Sequence, residues 1–228
     1  MAEPIPIIGG TGALGYGLAL RWAREGTDIV IGSRSAERAA EAAQRVRDAV
    51  PDSAVDGVPN ADAARRASIV FLCVPFRAQS ETLNYLRDVL EAGQLLVDCT
   101  VPTAAAVSGR ATRSLGVWQG SAAQQAQEMV PDGVTVVSAL HSVSAPLLAD
   151  LTRPLDEDVL ICADRKADKA RVAELVQRIP GLRAVNAGAL EMARIAEQVT
   201  LLLISINVRY KAHAGIRITG LPHEDHWG

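Results

Sequence analysis

The sequence predicts an α/β protein with a doubly wound, mostly parallel sheet, and two observations support this. Short apolar segments alternate with longer amphipathic segments along the chain, as the strands and helices of such a sheet do. The first apolar segment ends at Ile8 and runs directly into a turn that contains Gly10, Gly12 and Gly15. This G-x-G-x-x-G spacing between a strand and a helix is typical of the Rossmann-type fold, whose turn lies against the phosphates of a dinucleotide.

Local signals justify the elements in order. Gly26 separates the first helix from the second strand, Ser35 is a suitable N-cap for the next helix, and Pro51 ends that helix. The segment 69–74 is nearly all apolar, as expected for a strand buried on both faces. Pro6 lacks a donor for the ladder of a central strand, so we expect a local irregularity there. The predicted strands lie at 28–32, 54–58, 69–74, 94–98, 134–139, 158–163 and 183–186, and the predicted helices at 15–24, 36–49, 61–67, 79–91, 121–129, 166–178 and 189–213.

The pattern changes near residue 150, which divides the chain into two predicted parts. Residues 1–150 form the dinucleotide-binding domain. Residues 151–228 form a small C-terminal α/β subdomain that ends in one long helix and completes the substrate cleft. That helix has an apolar stripe broad enough to pack on the sheet or on a second subunit, and we predict a homodimer.

The end of the second strand indicates which dinucleotide binds. An NAD-binding site usually has Asp or Glu near this point, where the ribose 2′-hydroxyl lies. This chain has Ser33 and Arg34 there, and Arg38 follows one turn into the next helix. A hydroxyl group and two guanidinium groups suit a 2′-phosphate, so the sequence predicts NADP(H). The alternative is that both arginines are ordinary surface charges.

Composition excludes several classes of function. The net charge of −3 argues against a nucleic-acid surface, which is normally basic. Cys73, Cys99 and Cys162 lie in apolar segments without metal-ligand spacing, so we expect buried thiols in a reducing compartment and no metal site. No signal peptide is recognisable, and the longest apolar stretch, 199–208, is too short to span a bilayer. We therefore expect a cytoplasmic protein that binds neither nucleic acid nor membrane.

The carboxyl ends of the strands, where ligands lie in such sheets, are mostly apolar. Val74 and Pro75 follow one strand, and His141 is the main titratable group among the strand ends. The Tyr-x-x-x-Lys pair of short-chain dehydrogenases is absent, and Lys211 is the only lysine in the last predicted helix. A site without an acid or a base indicates a second substrate that is itself a hydride carrier. Hydride transfer between two redox cofactors needs positioning and not proton transfer.

The sequence resembles the family of NADP oxidoreductases that use the deazaflavin coenzyme F420. The resemblance rests on segments 9–21, 31–34, 74–75, 136–141, 181–183 and 186–188 and extends from about residue 5 to about residue 207. It implies hydride transfer between NADP(H) and F420. The residues that it places along the pyrophosphate are Thr11, Gly12, Ala13 and Leu14, and those beside the nicotinamide are Val74, Val101 and Ala145. The residues that it places near the deazaflavin are His141, Val143, Arg194 and Thr200. The chain differs from the family at Phe76, where Trp is familiar, and at Gln198, where relatives have a small hydroxyl residue.

Two other functions remain open at this point. An NADP-dependent reductase of a small carbonyl or imine would use His141 or Lys211 as the proton donor. A non-catalytic protein would instead sense NADP(H) through binding alone. For Arg194, the alternative to a contact with substrate is an i,i+3 ion pair with Glu197.

Overall fold

A computed structural model of the protein describes residues 3–222 and residue 227, and its sheet has eight strands. Their order is β3-β2-β1-β4-β5-β6-β7-β8, and each neighbouring pair is parallel except β6 and β7. The strands are β1 (Ile5–Ile8), β2 (Ile29–Ser33), β3 (Val55–Pro59), β4 (Ile69–Leu72), β5 (Leu95–Asp98), β6 (Thr135–Ser138), β7 (Glu157–Cys162) and β8 (Leu182–Gly188).

Helices cover both faces of this sheet. Helices α1, α2, α6 and α7 supply core side chains on one face, and α3, α4, α5 and α8 supply them on the other. The helices are α1 (Ala13–Arg24), α2 (Ala36–Ala49), α3 (Asn60–Ala64), α4 (Phe76–Leu86), α5 (Ala122–Met129), α6 (Ala145–Ala149), α7 (Lys166–Gln177) and α8 (Ala193–Tyr210). The predicted fold class is therefore confirmed, including the long C-terminal helix.

Four helices differ clearly from the sequence-based prediction, and one of them is α3, which ends at Ala64 and not near 67. Helix α6 is absent from that prediction because its five residues are too few to give a recognisable period. Helix α4 begins at Phe76 and not near 79, because Pro75 stands at its N-cap with a φ of −59°. Helix α8 is shorter than 189–213: a 3₁₀ turn precedes Ala193, and Lys211 ends the helix in the left-handed region at φ +53°.

Pro6 lies inside β1, in register with Val30 of β2, and the pairing of these two strands remains regular there. Ile8 faces β4, because its carbonyl oxygen accepts the Cys73 N–H at 2.8 Å. Neighbouring positions alternate between the two sides of a strand, so the Pro6 nitrogen also faces β4.

The pairing of β1 with β4 begins only at Ile7. By this register Ile69 and Val70, the first two residues of β4, lie opposite Ile5 and Pro6 without a ladder pairing. The ladder between β1 and β4 thus starts late, at the proline that lacks a donor, and this is the local irregularity expected from the sequence.

The boundary predicted at residue 150 falls just after α6. Strands β7 and β8 continue the same sheet, and β6 pairs with β7 through one residue pair, Ser138 and Cys162. The division into 1–150 and 151–228 stays a prediction. After α8 the chain returns to β7, where the carbonyl oxygen of Ile216 accepts the Asp158 N–H at 2.8 Å.

Cys73, Cys99 and Cys162 are buried free thiols, as the sequence predicts. Burial raises the pKa of the Cys162 thiol to about 11. Within residues 3–222 and 227, no helix has both the length and the apolar character needed to cross a membrane. The same residues contain no group of His, Cys, Asp and Glu side chains that could hold a metal ion.

Candidate active site

The turn between β1 and α1 lies at the carboxyl ends of the strands, and its glycines leave the backbone there without side chains. Gly9 has a φ of +74°, and a Cβ there would lie 2.8 Å from the carbonyl oxygen of Cys73. A Cβ on Gly15 would lie 2.8 Å from the Cα of Gly10, so a side chain there would separate α1 from the strand. Gly12 is the N-cap of α1, and the first turn of that helix has no acidic side chain. Its free N–H groups and the positive end of the helix dipole favour an anion.

Ser33, Arg34 and Arg38 meet where β2 passes into α2. The Ser33 hydroxyl accepts the N–H of Ser35 at 3.3 Å, and the Ser35 hydroxyl caps α2 by accepting the N–H of Arg38 at 3.2 Å. These bonds fix the backbone that carries both arginines. Across residues 3–222 and 227, neither guanidinium group makes a hydrogen bond or an ion pair. Two unpaired cations beside a fixed hydroxyl suit a phosphate.

A cleft of about 350 Å³ joins this corner to the glycine turn. Its walls come from the carboxyl ends of β1, β2 and β4 and from the first turns of α3 and α4. The residues that line it are Gly9, Thr11, Gly12, Ser33, Arg34, Ser35, Arg38, Asn60, Cys73, Val74, Pro75, Ala78 and Thr82. Gly10 and Gly15 are buried beneath the turn, and Ala13 and Leu14 begin α1. The residues predicted for the adenosine and pyrophosphate half thus lie together.

A second cavity, also about 350 Å³, adjoins the first cleft. Both cavities share Val74 and Pro75. The second is lined by Val74, Pro75, Phe76, Arg77, Cys99, Thr100, Val101, Thr103, Ala105 and Ala106. Two of the three predicted neighbours of the nicotinamide, Val74 and Val101, therefore face the same space. The third, Ala145, begins α6, and its carbonyl oxygen lies near Gly17 of α1.

His141 follows β6 in a buried position that fixes its charge. The preceding residue, Leu140, has a φ of +67°, which is a strained conformation for a residue with a side chain. This conformation sets the direction of the chain at His141. The ring nitrogen Nε2 lies 3.4 Å from the Ser138 hydroxyl, and the ring also bonds the backbone of Asp98. Burial lowers the pKa of His141 to about 4. The imidazole is therefore neutral at physiological pH.

The residues predicted for the deazaflavin line neither of these two cavities and are brought together only in part. The Thr200 hydroxyl of α8 donates to the carbonyl oxygen of His141 at 2.9 Å, which ties the last helix to this strand end. Val143 is buried in the core beside them. Arg194 is exposed and lies on the same side of α8 as Gln198, whose amide donates to the Ser114 hydroxyl at 2.7 Å. The i,i+3 pair of Arg194 with Glu197 does not form.

Glu197 instead belongs to a buried polar network that the sequence-based reading missed. Its carboxylate accepts the N–H groups of Ala122 and Ala123 at 3.0 and 3.1 Å, at the start of α5. Gln79 donates to the Asp98 carboxylate at 2.7 Å and to the carbonyl oxygen of Ala122 at 3.0 Å. Burial raises the pKa of Asp98 to about 7 and that of Glu197 to about 8. The sequence analysis did not anticipate these two core carboxylates.

This network supports the floor of the second cavity. Thr100, which lines that cavity, donates its N–H to the Asp98 carboxylate at 3.0 Å, and its hydroxyl accepts from Gln79 at 2.8 Å. Both carboxylates are fully buried, so neither can reach a ligand. Two features of the sequence could have indicated these buried carboxylates. Asp98 stands at the end of an apolar strand, and Glu197 lies on the same face of its helix as Ala193 and Ala196. A charged residue at a core position implies a buried partner.

The fold and this site define a nucleotide-dependent oxidoreductase of the Rossmann class. A strand–glycine turn–helix unit, two unpaired arginines at the end of β2 and a joined second cavity at the strand ends are its distinguishing parts. The comparisons with known proteins identify the particular family. A family model described as "NADP oxidoreductase coenzyme F420-dependent" matches residues 4–102.

Similarity to individual relatives extends over nearly the full length. The chain is 42% identical over 229 residues to the F420-dependent NADP reductase of Methanothermobacter thermautotrophicus, covering 99% of this chain and 98% of that one. It is 39% identical over 222 residues to the F420-dependent NADP reductase of Methanocaldococcus jannaschii, covering 95% and 98%. The protein therefore belongs to the F420-dependent NADP reductase family. A crystal structure of a candidate F420-dependent NADP reductase from Arthrobacter sp. FB24 has the same fold, with a TM-score of 0.78 and 24% identity over 96% of this chain and 100% of that one.

Proposed function

We propose that this protein transfers a hydride reversibly between NADP(H) and coenzyme F420. The observation that carries the proposal is its 39–42% identity, over nearly the whole chain, to proteins named F420-dependent NADP reductase. The site agrees with it, because the cleft beside the glycine turn continues at Val74 and Pro75 into a second cavity, where Val74 and Val101 would receive the nicotinamide. Both coenzymes are substrates, and neither needs a metal ion.

The cleft fits a 2′-phosphorylated dinucleotide. The bare backbone of Gly9 and Gly12 and the start of α1 would hold the pyrophosphate. Ser33, Arg34 and Arg38 would hold the 2′-phosphate, and this assignment rests on their convergence and on the unpaired guanidinium groups. Val74, Pro75 and Val101, with Ala145 at the start of α6, would bound the nicotinamide. These are the residues to which we assign NADP(H) binding.

For the deazaflavin we assign His141, Val143, Arg194 and Thr200. His141 and Thr200 are already joined, so α8 and the strand end would form one wall. Arg194 is exposed on the same helix, six residues before Thr200. When both coenzymes are bound, a hydride passes between C4 of the nicotinamide and C5 of the deazaflavin, and the protein supplies no proton. The apolar strand ends exclude water from that contact and hold the two rings in place.

The two alternative functions are not favoured. A carbonyl or imine reductase needs a proton donor, and His141 is held neutral by burial. Lys211 is exposed and lies eleven residues beyond Thr200, which is about 16 Å along the helix axis. The relatives, moreover, are named as reductases.

The direct test mixes purified protein with NADPH and oxidised F420 without oxygen and follows the absorbance of the deazaflavin. We expect rapid bleaching with NADPH and far slower bleaching with NADH. Bleaching with neither nucleotide, although NADPH binds, would contradict the proposed second substrate. A pyruvate-like carbonyl compound and a cyclic imine serve as competing substrates in the same assay.

His141 provides a prediction about pH. Since its pKa lies near 4 and the imidazole stays neutral above that, the His141 contribution to kcat/KM for F420 should not change between about pH 5.5 and pH 8. His141→Gln should raise the KM for F420 and leave kcat within about threefold, because the ring positions a ligand and donates no proton. A loss confined to kcat, which grows as pH rises, would instead identify His141 as an acid. Steady-state kinetics across this pH range distinguish the two.

We also propose a homodimer that forms through α8, in a reducing, cytoplasmic compartment. Ile195 and Leu202 are 51% and 60% exposed, and with Val199 and Ile206 they form an apolar stripe at the spacing of packed helices. A second copy of the chain would cover this stripe. Leu202→Glu should therefore give a monomer by light scattering. Val208→Glu, about 120° away around the helix, is the matched control and should leave the dimer intact.

A further inference from the structure

The segment after β5 has an unusual charge pattern. No Asp or Glu occurs between Asp98 and Glu128, although this stretch contains Arg110 and Arg113. Both arginines are exposed. In the part of the chain that the structure describes, neither side chain makes an ion pair or a hydrogen bond. A segment of uncompensated positive charge is a candidate surface for an anion.

The fold brings this segment to the mouth of the second cavity. The carbonyl oxygen of Arg113 accepts the N–H of Ala104 at 2.7 Å. Ala104 begins a 3₁₀ turn, Ala104–Val107, which supplies Ala105 and Ala106 to the cavity wall. Arg77, which also lines this cavity, is a third exposed cation without an ion pair among the described residues. Arg110 is joined to Arg113 through a backbone bond of 3.0 Å.

The same segment also touches the helix that we assign to the deazaflavin. The Ser114 hydroxyl accepts the Gln198 amide of α8 at 2.7 Å. Arg194 lies one turn before Gln198 on that side of the helix and is also exposed. Arginines of α4, of the segment after β5 and of α8 are therefore carried by elements that line the second cavity or contact its lining, and Arg34 lines the other cleft.

We propose that Arg77, Arg110 and Arg113 bind the anionic tail of the deazaflavin coenzyme. This inference rests on the proposed function. The tail of F420 carries a phosphodiester and glutamate carboxylates, and guanidinium groups bind both with charge-assisted hydrogen bonds. With the ring against His141 and Thr200, the tail leaves past α8 and crosses the mouth of the second cavity. The arginines thus select the complete coenzyme over its ring system alone.

The test compares two substrates that share the deazaflavin ring. One is F420, and the other is the 8-hydroxy-5-deazaflavin riboside analogue, which has the ribityl chain but no phosphate and no glutamate. Steady-state kinetics with NADPH are measured for the double variant Arg110→Gln/Arg113→Gln and for Arg77→Gln. Arg87→Gln is the matched control, because Arg87 is equally exposed and unpaired within the described residues but lies at the far end of α4. Unchanged melting temperatures establish that the variants fold.

The expected result is a change in KM for one substrate only. In the double variant the KM for F420 should rise about tenfold, since each exposed ion contact changes affinity by roughly threefold, while kcat and the KM for the tail-less analogue stay within about twofold. Added salt should raise the KM for F420 more in the unaltered protein than in the variant. Equal changes for both substrates, or none, would overturn the tail site while leaving the proposed function intact. Failure of the unaltered protein to reduce either substrate would overturn the proposed function itself.

Discussion

Replacing Arg34 with alanine is expected to weaken NADPH binding by about 1.5–3 kcal/mol, the contribution of a hydrogen bond to a charged group. NADH binding should change by less than about twofold. The difference arises because NADH lacks the 2′-phosphate, and the Arg34 guanidinium has no other partner among the described residues. Arg34 lines the cleft next to Ser33 and Arg38, so its loss removes one of two cations from the same corner.

The measurement is direct titration of both nucleotides, with KM values as a second readout. Arg87→Ala, which removes an exposed arginine that lines neither cavity, should alter neither affinity. Removing Arg34 and Arg38 together should cost less than the sum of the single losses, because both would bind one phosphate. An equal loss of NADPH and NADH affinity in the Arg34 variant would show that this arginine stabilises the turn between β2 and α2 and does not bind the 2′-phosphate.

The elements of this fold could be predicted where a local signal sets them. Ser35 caps α2 as its sequence position indicates, and the glycine spacing of the first turn is required by contacts as close as 2.8 Å. The role of Arg34 and Arg38 could be predicted for the same reason, since both arginines lie within a few residues of a recognisable strand. Such features depend on backbone conformation and on neighbours in sequence.

Other parts of the site depend on contacts between residues far apart in the chain. Thr200 and His141 are 59 positions apart, and Glu197 binds an N–H group 75 positions away. From the sequence, Glu197 is an alternative i,i+3 partner for Arg194 because both lie on one helix, whereas packing turns its carboxylate inward to the start of α5. The rotation of α8 about its axis decides this, and that rotation is set by tertiary packing.

Arg21 is the clearest long-range contact, and its loss should have the largest effect on stability. The side chain is 6% exposed and donates to the carbonyl oxygens of Leu147, Leu148, Asp150 and Arg153, at 2.6 to 2.9 Å. These carbonyls end α6, where a helix has no partners of its own. Arg21→Met keeps the volume but leaves buried carbonyl groups unsatisfied, so we expect the free energy of unfolding to fall by about 3–5 kcal/mol.

Denaturant unfolding measures this loss, and Arg24→Met is the matched control. Arg24 lies one turn further along α1 and also donates to a carbonyl oxygen, that of Leu151, but it is exposed, so its loss should cost at most about 1 kcal/mol. Equal losses of unfolding free energy in the two variants would mean that the burial of Arg21 does not add to its contribution to stability. Because α6 begins at Ala145, a loosened helix should also raise the KM for NADPH in the Arg21 variant. An unchanged KM for NADPH in the Arg21 variant would instead show that α6 does not contribute to the nicotinamide site.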